Sequence, residues 1–238
     1  MYSPDSPAPE PEPAPAPAPA PELADFELIV FDWDGTLMDS EGRIVASMQA
    51  AFGELGREPP PAAAVREVIG LGLDEAMRRL PGVARDEALD ELIARYRYHY
   101  LSANRTPTPL FEGAAALVEA LHARGDLLAV ATGKSRAGLD QALEQSGLQR
   151  YFHATRTAED TFSKPNPTML FELMDELGAS ADATLMIGDT EYDLLMANNA
   201  GVRALAVGYG TQPAERLLAH GPLACAPSLK VLSDWLLV

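Results

Sequence analysis

The chain holds one cysteine, Cys225, in 238 residues. That excludes an intramolecular disulfide framework and any cysteine-cluster metal site. Basic residues are scarce: 18 Lys and Arg stand against 35 Asp and Glu, a formal charge of -17, and no base precedes Arg43. Proteins that grip a phosphate backbone carry a basic patch or stripe, so a nucleic-acid partner is not expected. No apolar run approaches the ~18 residues of a membrane span, so no membrane partner is expected either. The opening MYSPDSPAPE lacks the positive and apolar stretches of a secretory signal, and it lacks the Arg-rich amphipathic pattern of a transit peptide. A cytoplasmic location is the default expectation.

Proline is abundant, but in one place. Nine of the 20 prolines fall in the first 21 residues, eight of them in the run PAPEPEPAPAPAPAPE. Proline at every second position removes the N–H groups a helix ladder needs. Residues 1–22 are therefore expected to be a disordered, polyproline-II-like tail, either a plain solvated leader or a stiff spacer. The rest is ordinary for a globular protein: 47% of the whole chain is hydrophobic. Charge is also uneven. Residues 1–42 carry ten acids and no base, residues 43–108 carry nine of each, and residues 109–238 carry sixteen acids and nine bases.

Short apolar runs without alternation, at 27–31 (ELIVF), 127–131 (LLAVA), 184–187 (TLMI) and 203–207 (RALAV), suit strands buried on both faces of a parallel sheet. Weaker candidates lie at 152–155 and 223–226. Helical patterns separate them, at 113–124, 135–146, 166–178, 191–200, 213–220 and 228–237. Several stop at a glycine: Gly125, Gly147, Gly178 and Gly201. The alternation predicts an α/β fold, a doubly wound Rossmann-like parallel sheet. Residues 43–108 interrupt it with successive helical patterns at 43–55, 62–69, 73–80 and 85–101. They predict an all-helical insertion, residues 43–108, after the first strand, with residues 23–42 and 109–238 forming the Rossmann-like core. Ligands in such sheets bind beyond the carboxyl ends of the strands, so the insertion is expected over the site.

Four motifs fall at those ends. The first strand runs into Asp32-Trp33-Asp34-Gly35-Thr36. Residues i and i+2 of an extended segment point the same way, so Asp32 and Asp34 share a side opposite Trp33. Paired carboxylates there call for a cation or a proton. The alternative is an acidic loop before a helix. Ala131-Thr132-Gly133-Lys134-Ser135 ends the second strong strand, and a hydroxyl with free N–H groups at such a turn suits phosphate oxygens, although Ser135 also reads as a helix cap. Ser163-Lys164-Pro165-Asn166-Pro167 brackets a lysine with prolines that limit its backbone. Gly188-Asp189-Thr190-Glu191-Tyr192-Asp193 places two acids within reach of one point if a helix begins between them, and hard oxygen ligands suit Mg²⁺. A surface lysine and an Asp/Thr helix cap are the plain alternatives for these last two.

Taken together and in this order, DWDGTLMDS, ATGKS, SKPNP and GDTEYD resemble the four motifs of the haloacid-dehalogenase-like hydrolases, in the phosphoglycolate-phosphatase-like branch with a helical cap. The resemblance runs from residue 26 to about residue 238. GLGLDEAM, residues 70–77, resembles the substrate-specificity loop of such caps. The resemblance implies Asp32 as nucleophile forming an aspartyl-phosphate, Asp34 as acid and base, and Thr132 and Lys164 holding the transferring oxygens. It implies Mg²⁺ bound by Asp32, the Asp34 carbonyl and Asp189, with Asp193 a ligand or an outer residue. Gly35, Thr36 and Gly133, with Gly70, Leu71 and Gly72 of the cap loop, are the implied substrate contacts. An acid two residues past the nucleophile suits phosphatases and phosphomutases and disfavours dehalogenases. The expected substrate is a small phosphorylated metabolite, phosphoglycolate being typical. A sugar phosphomutase is the alternative, then a pyrophosphatase or nucleotide phosphatase, then a non-catalytic binding module. Arg43, Arg66, Arg78 and Arg79 are candidates for a second anionic group on the substrate, or else partners of the cap acids. The expected assembly is a monomer or homodimer.

Overall fold

The computed structural model describes residues 21, 23, 26–83 and 89–237. The expectation for residues 1–22 thus lies almost wholly outside the described residues. Six strands form one parallel sheet: β1 (Leu28–Phe31), β2 (Leu127–Thr132), β3 (Ala154–Thr157), β4 (Thr184–Gly188), β5 (Arg203–Val207) and β6 (Cys225–Ala226). Their order is β3-β2-β1-β4-β5-β6. This is a doubly wound Rossmann-like sheet, and its strand order reverses beside β1.

All of β1 is buried because both faces of the sheet are covered. Ile29 and Phe31 join one apolar cluster, under α5 (Ala114–Arg124), α6 (Arg136–Ser146) and α10 (Leu229–Leu236). Leu28 and Val30 join the other, under α7 (Thr168–Leu177), α8 (Glu191–Ala200) and α9 (Ala214–Leu218). The helices α5 to α8 stop at Gly125, Gly147, Gly178 and Gly201, as the sequence pattern predicts. The third strand starts two residues later than expected. Phe152 precedes it and packs edge-on to Phe31 and Trp33, so this apolar residue plugs the core and does not extend the strand.

Between β1 and β2 the chain is helical: α1 (Glu41–Glu54), α2 (Ala62–Arg66), α3 (Leu73–Arg79) and α4 (Leu89–Tyr98), then a π-helical turn at His99–Ala103. Residues 84–88, where the last helical pattern is expected to begin, lie outside the described residues. Ile44, Met48, Ala51 and Phe52 repeat at three and four residues along α1, which makes one apolar face. That face meets Val65, Met77 and Leu92 in a third cluster, separate from the two sheet clusters. Tyr192 of α8 joins this cluster, and so pins the helical layer over the carboxyl ends of β1 and β4. Among the described residues no helix is long and apolar enough to cross a membrane.

Candidate active site

At the carboxyl end of β1 the strand alternation continues for three residues. Trp33 is fully buried in the Ile29–Phe31 cluster. Asp32 and Asp34 leave on the other side and line a cavity of about 70 Å³ beneath the helical layer. Gly35 then turns the chain with φ +82°, and a Cβ there would overlap the Asp189 carboxylate. The same close approach brings Thr36 Oγ1 to donate to Asp189 Oδ1 at 3.2 Å.

Lys164, fully buried, ties the two acidic motifs together. Its Nζ donates to Asp32 Oδ1 at 2.7 Å and to Asp193 Oδ1 at 2.6 Å. Burial opposes its charge, but Asp193 and Asp32 outweigh that and hold the ammonium above its usual range. The other Asp193 oxygen accepts from Thr190 N and Oγ1, which closes a capping box at the start of α8. The helix-cap reading of that acid therefore holds, and both its oxygens are engaged. Asp189 Oδ2 accepts from Thr211 N at 2.7 Å.

Asp32, Asp189 and Asp193 offer oxygens within 4.8 Å of one another, all buried. Asp32 Oδ2 has no hydrogen-bond partner. Burial and the neighbouring acids raise Asp32 well above the usual carboxylate range, with Lys164 opposing. Burial and Asp193 push Asp189 up to about 7. Three buried carboxylates sharing one lysine leave negative charge uncompensated. A hard, oxygen-seeking dication fits this donor set.

Thr132 at the end of β2 and Gly133 just after it line the cavity. A Cβ on Gly133 would strike the carbonyl oxygens of Gly70 and Leu71, so glycine lets the loop of the helical layer rest on the β2 turn. Gly72 N donates to Ser163 Oγ at 2.7 Å, beside Lys164. Ser135 does cap α6, accepting from Gly138 N. The structure thus brings Asp32, Asp34, Thr132, Gly133, Gly70 and Leu71 to one cavity. Gly35 and Thr36 stand behind it, against Asp189.

Sequence reasoning misses the partners of Asp34. Lys134 Nζ lies 2.8 and 3.0 Å from its two oxygens, and Ser40 Oγ donates to Oδ1 at 2.5 Å. Lys134 is visible inside ATGKS, but nothing local to that motif aims it at a residue 100 positions away. The rest of the wall is mostly apolar, with Ile44, Met48, Val68, Ile69, Leu73 and Ala76, and Tyr96, Tyr100 and Ser135 complete it. The candidate arginines are engaged elsewhere. Arg66 pairs with Glu41, Arg79 with Glu75 and Tyr192, and Arg43 donates to the Thr106 carbonyl. Arg78 lines a separate, outer recess.

Residues 29–207 match the family model described as haloacid dehalogenase-like hydrolase. The chain is 32% identical to the pyrophosphatase PpaX of Halalkalibacterium halodurans, over 87% of this chain and 94% of that protein. It is 33% identical to a phosphoglycolate phosphatase of Rhodospirillum rubrum, over 87% and 90%. A haloacid dehalogenase-like family hydrolase from Streptococcus pneumoniae has the same fold, with a TM-score of 0.77 and 24% identity over 88% of this chain and 98% of that one. With the fold, the ordered motifs and these matches in agreement, the chain belongs to the haloacid dehalogenase-like hydrolases, in their phosphoglycolate-phosphatase-like branch.

Proposed function

We propose that the protein is a phosphatase that hydrolyses a small phosphorylated metabolite through an aspartyl-phosphate on Asp32. The observation that carries this reading is the unpartnered Oδ2 of a buried Asp32 whose other oxygen is held by Lys164. A nucleophile needs a free oxygen at a fixed position, and the Lys164 ammonium offsets the charge of carboxylate and phosphoryl group together.

Asp32 Oδ2 attacks phosphorus, the ester P–O bond breaks, and Asp34 protonates the departing alkoxide. Asp34 then takes a proton from water, which attacks the phosphoenzyme and frees Asp32. Thr132 and Lys164 orient the transferring oxygens. Asp32, Asp189 and the Asp34 carbonyl would hold Mg²⁺, with Asp193 in the outer ring orienting Lys164; the ion, when bound, supplies charge neutralisation between anionic nucleophile and anionic substrate.

The helical layer sets the substrate class. Its mostly apolar wall and small cavity support a compact alcohol portion. Among the described residues Lys134 is the one cation on the wall, and it already pairs with Asp34. A panel of phosphate monoesters with Mg²⁺, pyrophosphate and a nucleoside monophosphate included, tests the reading, with Asp32→Asn as the blank. The reading predicts phosphate release by the wild type, none by the variant, and none in chelator. Normal turnover by Asp32→Asn removes Asp32 as nucleophile. Isomerisation of a hexose phosphate primed by its bisphosphate would instead identify a mutase.

A further inference from the structure

We infer that Lys134 is a positioning residue for Asp34, and that it aims the carboxylate as a base in hydrolysis of the phosphoenzyme while Tyr100 ties it to the helical layer. The inference rests on the phosphatase reading above and adds to it a residue outside the four motif roles.

An ammonium has three protons to donate. Those of Lys134 face Asp34 Oδ1 at 2.8 Å, Asp34 Oδ2 at 3.0 Å and Tyr100 Oη at 2.8 Å. No proton is left over for a substrate oxygen. The lysine side chain is 5% exposed, and the carboxylate is 11% exposed on the cavity wall. Holding a charged pair this far from water is costly, and apolar residues of similar volume serve stability as well or better. The arrangement does fix a direction. Ser40 holds Asp34 Oδ1 from one side and Lys134 grips both oxygens from another. Tyr100 lies on the π-helical turn that closes the helical segment, with Tyr96 stacked against it at 5.8 Å between ring centres. The base is therefore clamped from both the β2 turn and the helical layer, and its aim depends on that layer being seated.

In the step concerned, a water oxygen attacks phosphorus, its proton passes to the Asp34 carboxylate, and the bond from phosphorus to Asp32 breaks to return the free carboxylate. A misaimed Asp34 slows this step. It does not slow formation of the phosphoenzyme from an ester whose leaving group needs no proton.

The test uses p-nitrophenyl phosphate, since nitrophenolate leaves unprotonated. The full-length Lys134→Met variant is expected to give a stoichiometric burst of nitrophenolate, then turnover about 100-fold slower than wild type, the size of a lost general base. Its kcat/KM for this ester is expected to stay near wild type, and its intact mass should show one added phosphoryl group. Lys134→Arg should recover much of the rate, and Tyr100→Phe should give a smaller burst-and-slow pattern in a stably folded protein. A fall in kcat/KM without phosphoenzyme would make Lys134 a substrate-binding group and overturn the inference; so would unchanged kinetics in both Lys134→Met and Tyr100→Phe. If wild type forms no phosphoenzyme and Asp32→Asn retains activity, the aspartyl-phosphate reading itself fails, and the inference falls with it.

Discussion

Lys164 stands between Asp32 and Asp193, within 2.7 Å of the one and 2.6 Å of the other, with all three side chains withdrawn from solvent. Replacing it with methionine strands two carboxylates beside Asp189. Removing one partner of a buried charged set costs about 3–5 kcal/mol. Lys164→Met is expected to lose that much stability by urea denaturation without Mg²⁺, to regain part of it with Mg²⁺, and to lose turnover on every ester.

Gly35 predicts a separable metal defect. Its φ of +82° and its approach to Asp189 leave no room for a Cβ. Gly35→Ala should displace the Asp189 carboxylate and weaken Mg²⁺ binding about 10–100-fold, the range for disturbed ligand support. Calorimetric titration with Mg²⁺ reads this directly; unchanged affinity would show that Asp189 is not a ligand.

Asp189 also predicts a pH dependence. Burial and Asp193 push it up to about 7, against roughly 3.9 in an unfolded chain. The folded, metal-free protein thus binds the extra proton between those values, so this group makes stability fall as pH rises through that window. Mg²⁺ competes with the proton, so the stabilisation by Mg²⁺ should grow from about pH 5 to about pH 7. Asp189→Asn should flatten that growth in thermal melts. A gain equal at both ends of the window in the wild type would contradict the assignment.

Gly133 predicts a defect in seating the helical layer. Any side chain there meets the Gly70 and Leu71 carbonyls. Gly133→Val should lift the loop, admit water and reduce kcat/KM by roughly tenfold or more, as misplaced positioning groups do. The sheet beneath should keep its thermal stability to within a few degrees.

The cavity predicts selectivity. Arg43, Arg66 and Arg79 are all engaged away from it, and Lys134 is committed to Asp34. Esters of small neutral alcohols should outperform phosphoglycolate in kcat/KM, and phosphoglycolate in first place would show that one of these cations turns inward on binding.

Much of this site is legible in the chain alone. Buried parallel strands announce themselves as short apolar runs such as LIVF, and the alternation of side chains along an extended segment is enough to put Asp32 and Asp34 on one side. The start of β3 is not legible, because Phe152 looks like strand sequence but serves as a plug against Trp33. The helix pattern at 62–69 is too generous for a similar reason: residues 67–70 leave α2 in a turn that carries the loop to the β2 end. The pattern at 85–101 does not show that its last turn widens to a π-helix at 99–103, which presents Tyr100 to Lys134.

The sequence by itself determined which chemical groups sit at the ends of which strands, because strand periodicity and motif order are local properties of the chain. Tertiary structure decided which atoms of those groups are free. Only packing shows that both Asp193 oxygens are taken, that the buried Asp32 Oδ2 has no hydrogen-bond partner, and that Lys134 clamps Asp34. Hydrogen bonds between residues some 100 positions apart follow from how layers close over one another, and nothing in the neighbouring sequence records that closure.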